Sequence, residues 1–367
     1  AGMLARAAIV PISTPGFLKK IPKMLLDPQS PLFVKWGYVP KLLPWLVPFI
    51  KSGSSEKFKG IVGALDSLTN DSIEQHMALC QGTEAEKFIR KGYFGYLYPD
   101  EKAFSDDKLA RELKLSFGYH YKKLTRMDIV KLDPNISNRY NCAAVFENHG
   151  WITDPSKYIK ALFDHYSSLG GEFLKSEVID IDNQRVTLRD GTIVIADKIV
   201  IAAGAWSNVL SKGLKVNSKI ESERGYHIFL KGANLSPPFP LMISDGKFIA
   251  TPMEGGLRCA GVVEFGGLKA PPSKAPLNLI RRKIKDVYPD LEFDEEKTWM
   301  GHRPSTPDSL PLIGPVDGFN DVNTCCTVTL FPVPVTPVKN VINASNDEPI
   351  TKDFNNSFLV FIYNNNK

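Results

Sequence analysis

The sequence has no CxxC pair among its five cysteines, Cys80, Cys142, Cys259, Cys325 and Cys326, and no HExxH or comparable array among its six histidines. Those spacings are what zinc or redox-dithiol sites are built on, so metal chemistry is unsupported and the thiols read as scattered structural residues of a reducing compartment. No uninterrupted apolar run is long enough to cross a bilayer; the nearest, Leu42 to Ile50, is short and holds Pro44 and Pro48. With Phe17 to Leu26 and Trp36, that segment reads either as packing on the chain's own core or as a proline-broken surface touching a membrane. There is no long Lys/Arg block spaced with aromatics, and the net charge of +5, from 45 basic and 40 acidic residues, is mild. Nucleic-acid binding is therefore set aside.

What the chain does have is the size and composition of a soluble two-domain protein: 367 residues, 43% hydrophobic and 23% charged. Its most informative stretch runs from Ser176 to Asn208. Val178 to Ile181 and Val186 to Leu188 read as short strands, and Asp190-Gly191 suits a tight hairpin turn with positive φ. Lys198 to Ala202 is nearly all apolar, as a strand covered on both faces requires, and it ends in Ala203-Gly204-Ala205, where a backbone or a flat ligand can come close.

Either side of that stretch, the first 55 residues hold eight prolines and predict short helices and turns. Residues 58 to 80 predict one helix, Phe88 to Tyr98 a strand, and Ser105-Asp106 a cap for a helix with Leu109, Leu113 and Phe117 on its buried side. Thr125 with Asp128 forms a capping box, and Asp154-Pro155 opens a helix with Tyr158, Ile159, Leu162, Phe163, Tyr166 and Leu169 as its buried stripe. This helix followed by strand 176–181 predicts an α/β layered core. From Ser222 to Glu264 short strands at His227–Lys231, Leu241–Ile243, Lys247–Thr251 and Leu257–Phe265 predict an antiparallel sheet, followed by a basic amphipathic helix over 276–288. After Pro315 both periodicities fade, and the asparagine-rich end does not read as completing the fold.

Several quotations together resemble the FAD-dependent amine and D-amino-acid oxidoreductases of the D-amino-acid dehydrogenase, glycine oxidase and sarcosine oxidase type, the DAO family. They are AGML at 1–4, LTRMDIVKLDPNI at 124–136, GWITDPSKYIKAL at 150–162, ADKIVIAAGAWSNVL at 196–210, ERGYH at 223–227, GVVEFGGLKAPP at 261–272 and GHRPSTPDSLPLIGP at 301–315. Their order and spacing carry the likeness over residues 1 to about 315. The resemblance implies a mixed α/β flavoprotein whose Rossmann-like FAD domain is assembled from 1–40, 148–215 and 300–318, with a mixed or antiparallel-sheet substrate domain from 41–147 and 216–299 and a divergent tail over 319–367. It also implies oxidation of the CH–NH2 group of a small D-amino acid by hydride transfer to the flavin. The imine then hydrolyses to an oxo acid and ammonia, and electrons pass to a quinone, an electron-transfer protein or oxygen. The location implied is cytoplasmic, at most peripheral to the inner membrane.

Carried over residue by residue, Gly2 and Met3 match the segment beside the flavin ring, Val178 the strand residue at the adenine end, and Ala203, Gly204 and Trp206 the turn along the dinucleotide. Arg303 matches the arginine for the substrate carboxylate, where a planar guanidinium grips an anion through paired hydrogen bonds. Tyr226 and His227 enter a substrate-domain strand, where one side chain can face the pocket while the next points away. Asp308 reads as a structural turn residue. The family's GxGxxG phosphate turn is nowhere in the sequence, and DVNTCCTVTLFPVPVTPVKN stands where a glycine- and histidine-containing segment is expected. With Ala1 at its start, the chain reads as a processed or incomplete form whose activity is impaired. The other readings are a non-catalytic flavoprotein remnant and an oxidase or dehydrogenase of N-methyl amino acids or 2-hydroxy acids.

Overall fold

A computed structural model describes residues 2–16, 31–182, 184–210, 219–316, 319–326 and 360–363. Its main body is a ten-stranded sheet. Along the sheet the strands run Met3–Leu4, Cys142–Ile152, Ile89–Tyr98, Leu241–Ile243, Phe248–Met253, Gly256–Phe265, Glu221–Lys231 and Glu295–Ser305. Tyr121–Thr125 adds to Cys142–Ile152, and Leu32–Val34 adds in parallel to Gly256–Phe265. Most pairs are antiparallel, and Leu241–Ile243 lies parallel to Ile89–Tyr98.

Side-chain alternation divides this sheet into two faces. On one, Tyr226, Ile228, Leu230, Ala250, Leu257 and Cys259 pack under the helix Lys274–Val287, whose Leu279, Ile280, Ile284 and Val287 complete the largest core. Glu223, Gly225 and His227 belong to the other face, the one on which Met3, Ala5 and Ile249 cluster.

A second body holds a meander, Val178–Asp182, Arg185–Leu188 and Ile193–Ile195, and a four-stranded sheet in the order Leu312–Val316, Phe319–Cys326, Lys198–Ile201, Val360–Tyr363. The Asp190-Gly191 turn is formed as expected: Gly191 has φ 88° and the Asp190 carboxylate accepts from the Thr192 amide at 2.9 Å. A shared core of Val178, Ile181, Val186, Leu188, Ile199, Ile201 and Ala203 holds the two sheets together.

Several expectations are corrected. The stretch expected as one helix over 58–80 is two, Ser55–Thr69 and Ser72–Cys80, broken at Asn70-Asp71. Pro44 and Pro48 do not break Val39–Ser52. Trp45 stacks on Phe49 one turn along the same helix at 4.9 Å, while its contacts with the Phe265 ring at 5.4 Å and the Ser305 carbonyl at 3.0 Å are tertiary and offset the missing backbone bonds. Leu42, Trp45 and Phe49 thus pack inward, whereas Trp36, Leu43 and Val47 are exposed. Ser105 and Asp106 do not cap the helix carrying Leu109: they lie inside Glu101–Asp106, which Asp100 caps, and Lys108–Ser116 starts after Asp107 without a side-chain cap bond. The following helix, Lys108–Ser116, buries Arg111 and Lys114 and exposes Leu109, because an aromatic wall faces it: Arg111 lies 3.5 Å from the Phe104 ring centroid and Lys114 4.1 Å from that of Tyr96. On Pro155–Ser168, Tyr158 and Ala161 are buried but Ile159 and Leu169 are exposed. Lys198–Ile201 buries Ile199 and Ile201 while Lys198 is exposed, so it is not covered on both faces. The segment after Pro315 does join the fold, since backbone 319–326 runs parallel to Lys198–Ile201. Both sequence-expected helix starts hold: Thr125 and Asp128 form the capping box, and Asp154 accepts from the amides of Ser156 and Lys157. Among the described residues no helix is long and apolar enough to cross a membrane.

Candidate active site

Arg303 stands on the strand Glu295–Ser305, directly opposite Glu223. Its Nη1 donates to Glu223 Oε1 at 2.7 Å and its Nη2 to the Gly261 carbonyl at 3.2 Å. The reason it can lie so flat is glycine. A Cβ on Gly225 would come within 2.3 Å of Arg303 Nη2, and Gly225 faces Gly301 across the two strands. Gly301 is covered in the same way by Trp299, whose ring would meet a Cβ there at 1.8 Å. The opposed glycines form a low window in the sheet, flanked by a guanidinium and an indole. Glu223 is 2% exposed and Arg303 24%.

His227 borders this window, its ring stacked on Trp299 at 5.1 Å. Burial, with the charge of Arg258 behind it, pushes its pKa down to about 3, so the imidazole is neutral at ordinary pH. Tyr226 is placed differently from the sequence expectation of a catalytic role. Its hydroxyl donates to Glu264 Oε2 at 2.6 Å and accepts from the Ser273 amide at 3.0 Å on the helix-covered face, away from Arg303. Alternation along one strand separates the two neighbours. Glu264 also pairs with the fully buried Arg224 at 2.7 Å, and burial together with Glu264 raises the Tyr226 pKa to about 12. This network braces the sheet from behind.

The residues carried over for the cofactor fall in two groups. Gly2, at φ 86°, accepts from the Ile152 amide at 2.6 Å, and a Cβ on it would meet Ile152 O at 2.9 Å and Met253 Cε at 3.1 Å. Met3 pairs with Trp151 and is 1% exposed. Met3 lies on the Arg303 face of the large sheet. Val178 and Ala203 are core residues of the second body, and Gly204 has φ 54° with no atom within 4 Å of a Cβ placed on it. The backbone beside this strand end is thus open to close approach. Val178 offers backbone only, because its side chain is consumed in packing. Trp206 sets its ring edge against His302 at 5.0 Å, and His302 Nδ1 shares a 2.8 Å hydrogen bond with Ser222 Oγ. The turn is thereby tied to the residue preceding Arg303. Asp308 accepts from the Leu310 amide at 3.1 Å, a turn role as expected.

Glu223 escaped the sequence reading, as did Arg258 and Thr251, which pair across strands Gly256–Phe265 and Phe248–Met253. The available signal was the two-residue period, which puts Glu223 and His227 together. Cavities of about 340 and 320 Å³ open around Arg6, Glu147 and Asn148 and include none of the expected site residues.

The fold agrees with that of known proteins. The family model described as "FAD dependent oxidoreductase" (DAO) matches residues 41–335. The chain belongs to this family. A D-amino-acid oxidase of Bradyrhizobium diazoefficiens is 32% identical over 331 residues, covering 88% of this chain and 78% of that protein. A D-amino acid dehydrogenase of Helicobacter pylori is 24% identical over 322 residues, covering 86% and 76%. Among solved structures, glycine oxidase from Bacillus cereus aligns with a TM-score of 0.62 at 19% identity over 72% of this chain and 75% of that one. Glycine oxidase from Geobacillus kaustophilus gives 0.61 at 17% identity over 89% and 77%. These two likenesses define the shared mixed α/β fold.

Proposed function

We propose that the chain oxidises the CH–NH2 group of a small D-amino acid to an imine, which hydrolyses to an oxo acid and ammonia. The observation that carries this reading is Arg303 laid over Gly225 beside the buried Glu223. FAD, when bound, supplies the hydride acceptor. The protein's part is to hold and orient. Arg303 spends one Nη1 and one Nη2 hydrogen on Glu223 and Gly261, leaving its other N–H donors for a substrate carboxylate. Glu223, fixed by that pair, accepts from the substrate amine, and neutral His227 with Trp299 walls the site without competing for charge. Gly2, Met3, Ala203 and Gly204 would border FAD from two sides. Membership of the family supports the cofactor, and the names of the Bradyrhizobium and Helicobacter relatives support the substrate.

The test is anaerobic bleaching of the flavin in FAD-loaded protein with D-amino acids, N-methyl amino acids and 2-hydroxy acids. Bleaching by D-amino acids is the expected result, and bleaching by the 2-hydroxy acids alone would overturn the reading. Arg303→Ala should lower kcat/KM at least 100-fold, about 3 kcal/mol, for a D-amino acid. A matched amine lacking the carboxylate should change little. Equal losses on both would remove Arg303 as the clamp.

A further inference from the structure

Unlike Arg303, Arg258 forms no ion pair among the described residues, although it is partly buried within the electrostatic reach of Asp154 and its Nε is shielded without an acceptor. Its cross-strand partner Thr251 is 0% exposed, and the Thr251 hydroxyl also has no hydrogen-bond partner. Orphaned buried donors cost a fold about 1–3 kcal/mol each, more when charged. Two on paired residues mark the place of an acceptor that the described residues do not supply.

The register gives their position. Arg258 is paired with both Thr251 and Phe229, and Phe229 is two residues from His227 and four from Gly225 along one strand. All of these side chains therefore project from the face that carries Arg303. Four strand residues span about 13 Å, and the charge of Arg258 is felt at His227, between the two arginines. Two guanidinium groups each holding one end of a four- or five-carbon dicarboxylate stand roughly 12 Å apart when each N–H···O bond is of ordinary length. Glu223 pairs with Arg303 at 2.7 Å, whereas Arg258 feels the charge of Asp154 but forms no ion pair with an acid among the described residues.

We propose that Arg258 and Thr251 form a second anion-binding position that receives the side-chain carboxylate of a dicarboxylic amino acid while its α-carboxylate lies at Arg303. This deepens the amino-acid reading and rests on it for the identity of the substrate. The Arg258 guanidinium presents paired donors and the Thr251 hydroxyl a third. A neutral substrate would leave Arg258 Nε and the Thr251 hydroxyl unsatisfied, which sets selectivity for acidic over aliphatic side chains.

Binding of glutarate and butyrate, measured by calorimetry on FAD-loaded protein, tests the position without turnover. Glutarate should bind at least 10-fold tighter than butyrate. Arg258→Gln should abolish that preference and leave butyrate within 3-fold. Thr251→Val, which replaces an orphaned hydroxyl by an isosteric methyl, should weaken glutarate about 3- to 10-fold while raising the thermal midpoint. A purely structural threonine would not give that opposed pair of effects. Equal affinity for the two acids in the parent protein, or an unchanged glutarate preference in Arg258→Gln, would overturn the proposal. Failure of any D-amino acid to bleach the flavin would strike the reaction reading alone, because the glutarate measurement does not depend on it.

Discussion

Gly225 matters because of what lies over it. It is not among the positive-φ glycines, so its requirement is space: a methyl there would occupy the position of Arg303 Nη2. Gly225→Ala should therefore keep the fold, displace the guanidinium and lower kcat/KM for a carboxylate substrate about 10- to 100-fold, mostly through KM. Steady-state kinetics beside an unchanged circular dichroism spectrum checks this. Tyr226 contrasts with it. As part of the Glu264, Ser273 and Arg224 network, its loss in Tyr226→Phe should cost stability, about 1–3 kcal/mol by denaturant unfolding, and leave the pH profile of turnover unmoved.

At the scale of elements, the helix Lys108–Ser116 shows how a sequence pattern misleads. Its leucines suggested an apolar stripe, yet Lys114 is turned inward, its Nζ 2.6 Å from Tyr96 Oη and over the rings of Tyr96 and Phe146. Cation–π contact favours the ammonium, but burial outweighs it and lowers the pKa from 10.5 to about 8. The sign follows from the proton count. Between pH 8 and 10.5 the unfolded chain holds a proton at this lysine that the folded one lacks, so stability rises with pH through that window. Lys114→Met should remove this slope and raise stability at pH 7 by about 1–3 kcal/mol, as read from urea unfolding at several pH values.

Across the whole molecule, burial acts on four histidines in one direction. His76, His149 and His302 are each lowered to about 4 and His227 to about 3, from 6.5. Each is neutral in the folded protein while the unfolded chain takes up protons, so stability is fully present above pH 6.5 and is lost as pH falls towards 4. Thermal midpoints should drop steeply between pH 7 and 5, before most carboxylates titrate. His149→Gln should flatten part of that drop, because His149 is 1% exposed and carries no exposed-side screening. A flat profile over that range would contradict the burial of these rings.

Local chemistry was enough to read the caps at Thr125 and Asp154, the Asp190-Gly191 turn and the succession of strands from Glu221 to Phe265, because each depends on neighbours a few residues away. The family likeness likewise needed only residue order, and it singled out Arg303 and Gly204 as expected site residues. Tertiary structure decided which side of the sheet each residue serves. It turned Tyr226 towards Glu264, gave Arg303 its Glu223, and left Arg258 Nε and the Thr251 hydroxyl without a hydrogen-bond partner among the described residues. Those outcomes depend on pairing between strands tens of residues apart, Glu223 with Arg303 and Thr251 with Arg258 among them. The period of two along a strand says that neighbours part, but only the assembled sheet and the helix laid on it determine which face is core and which is site.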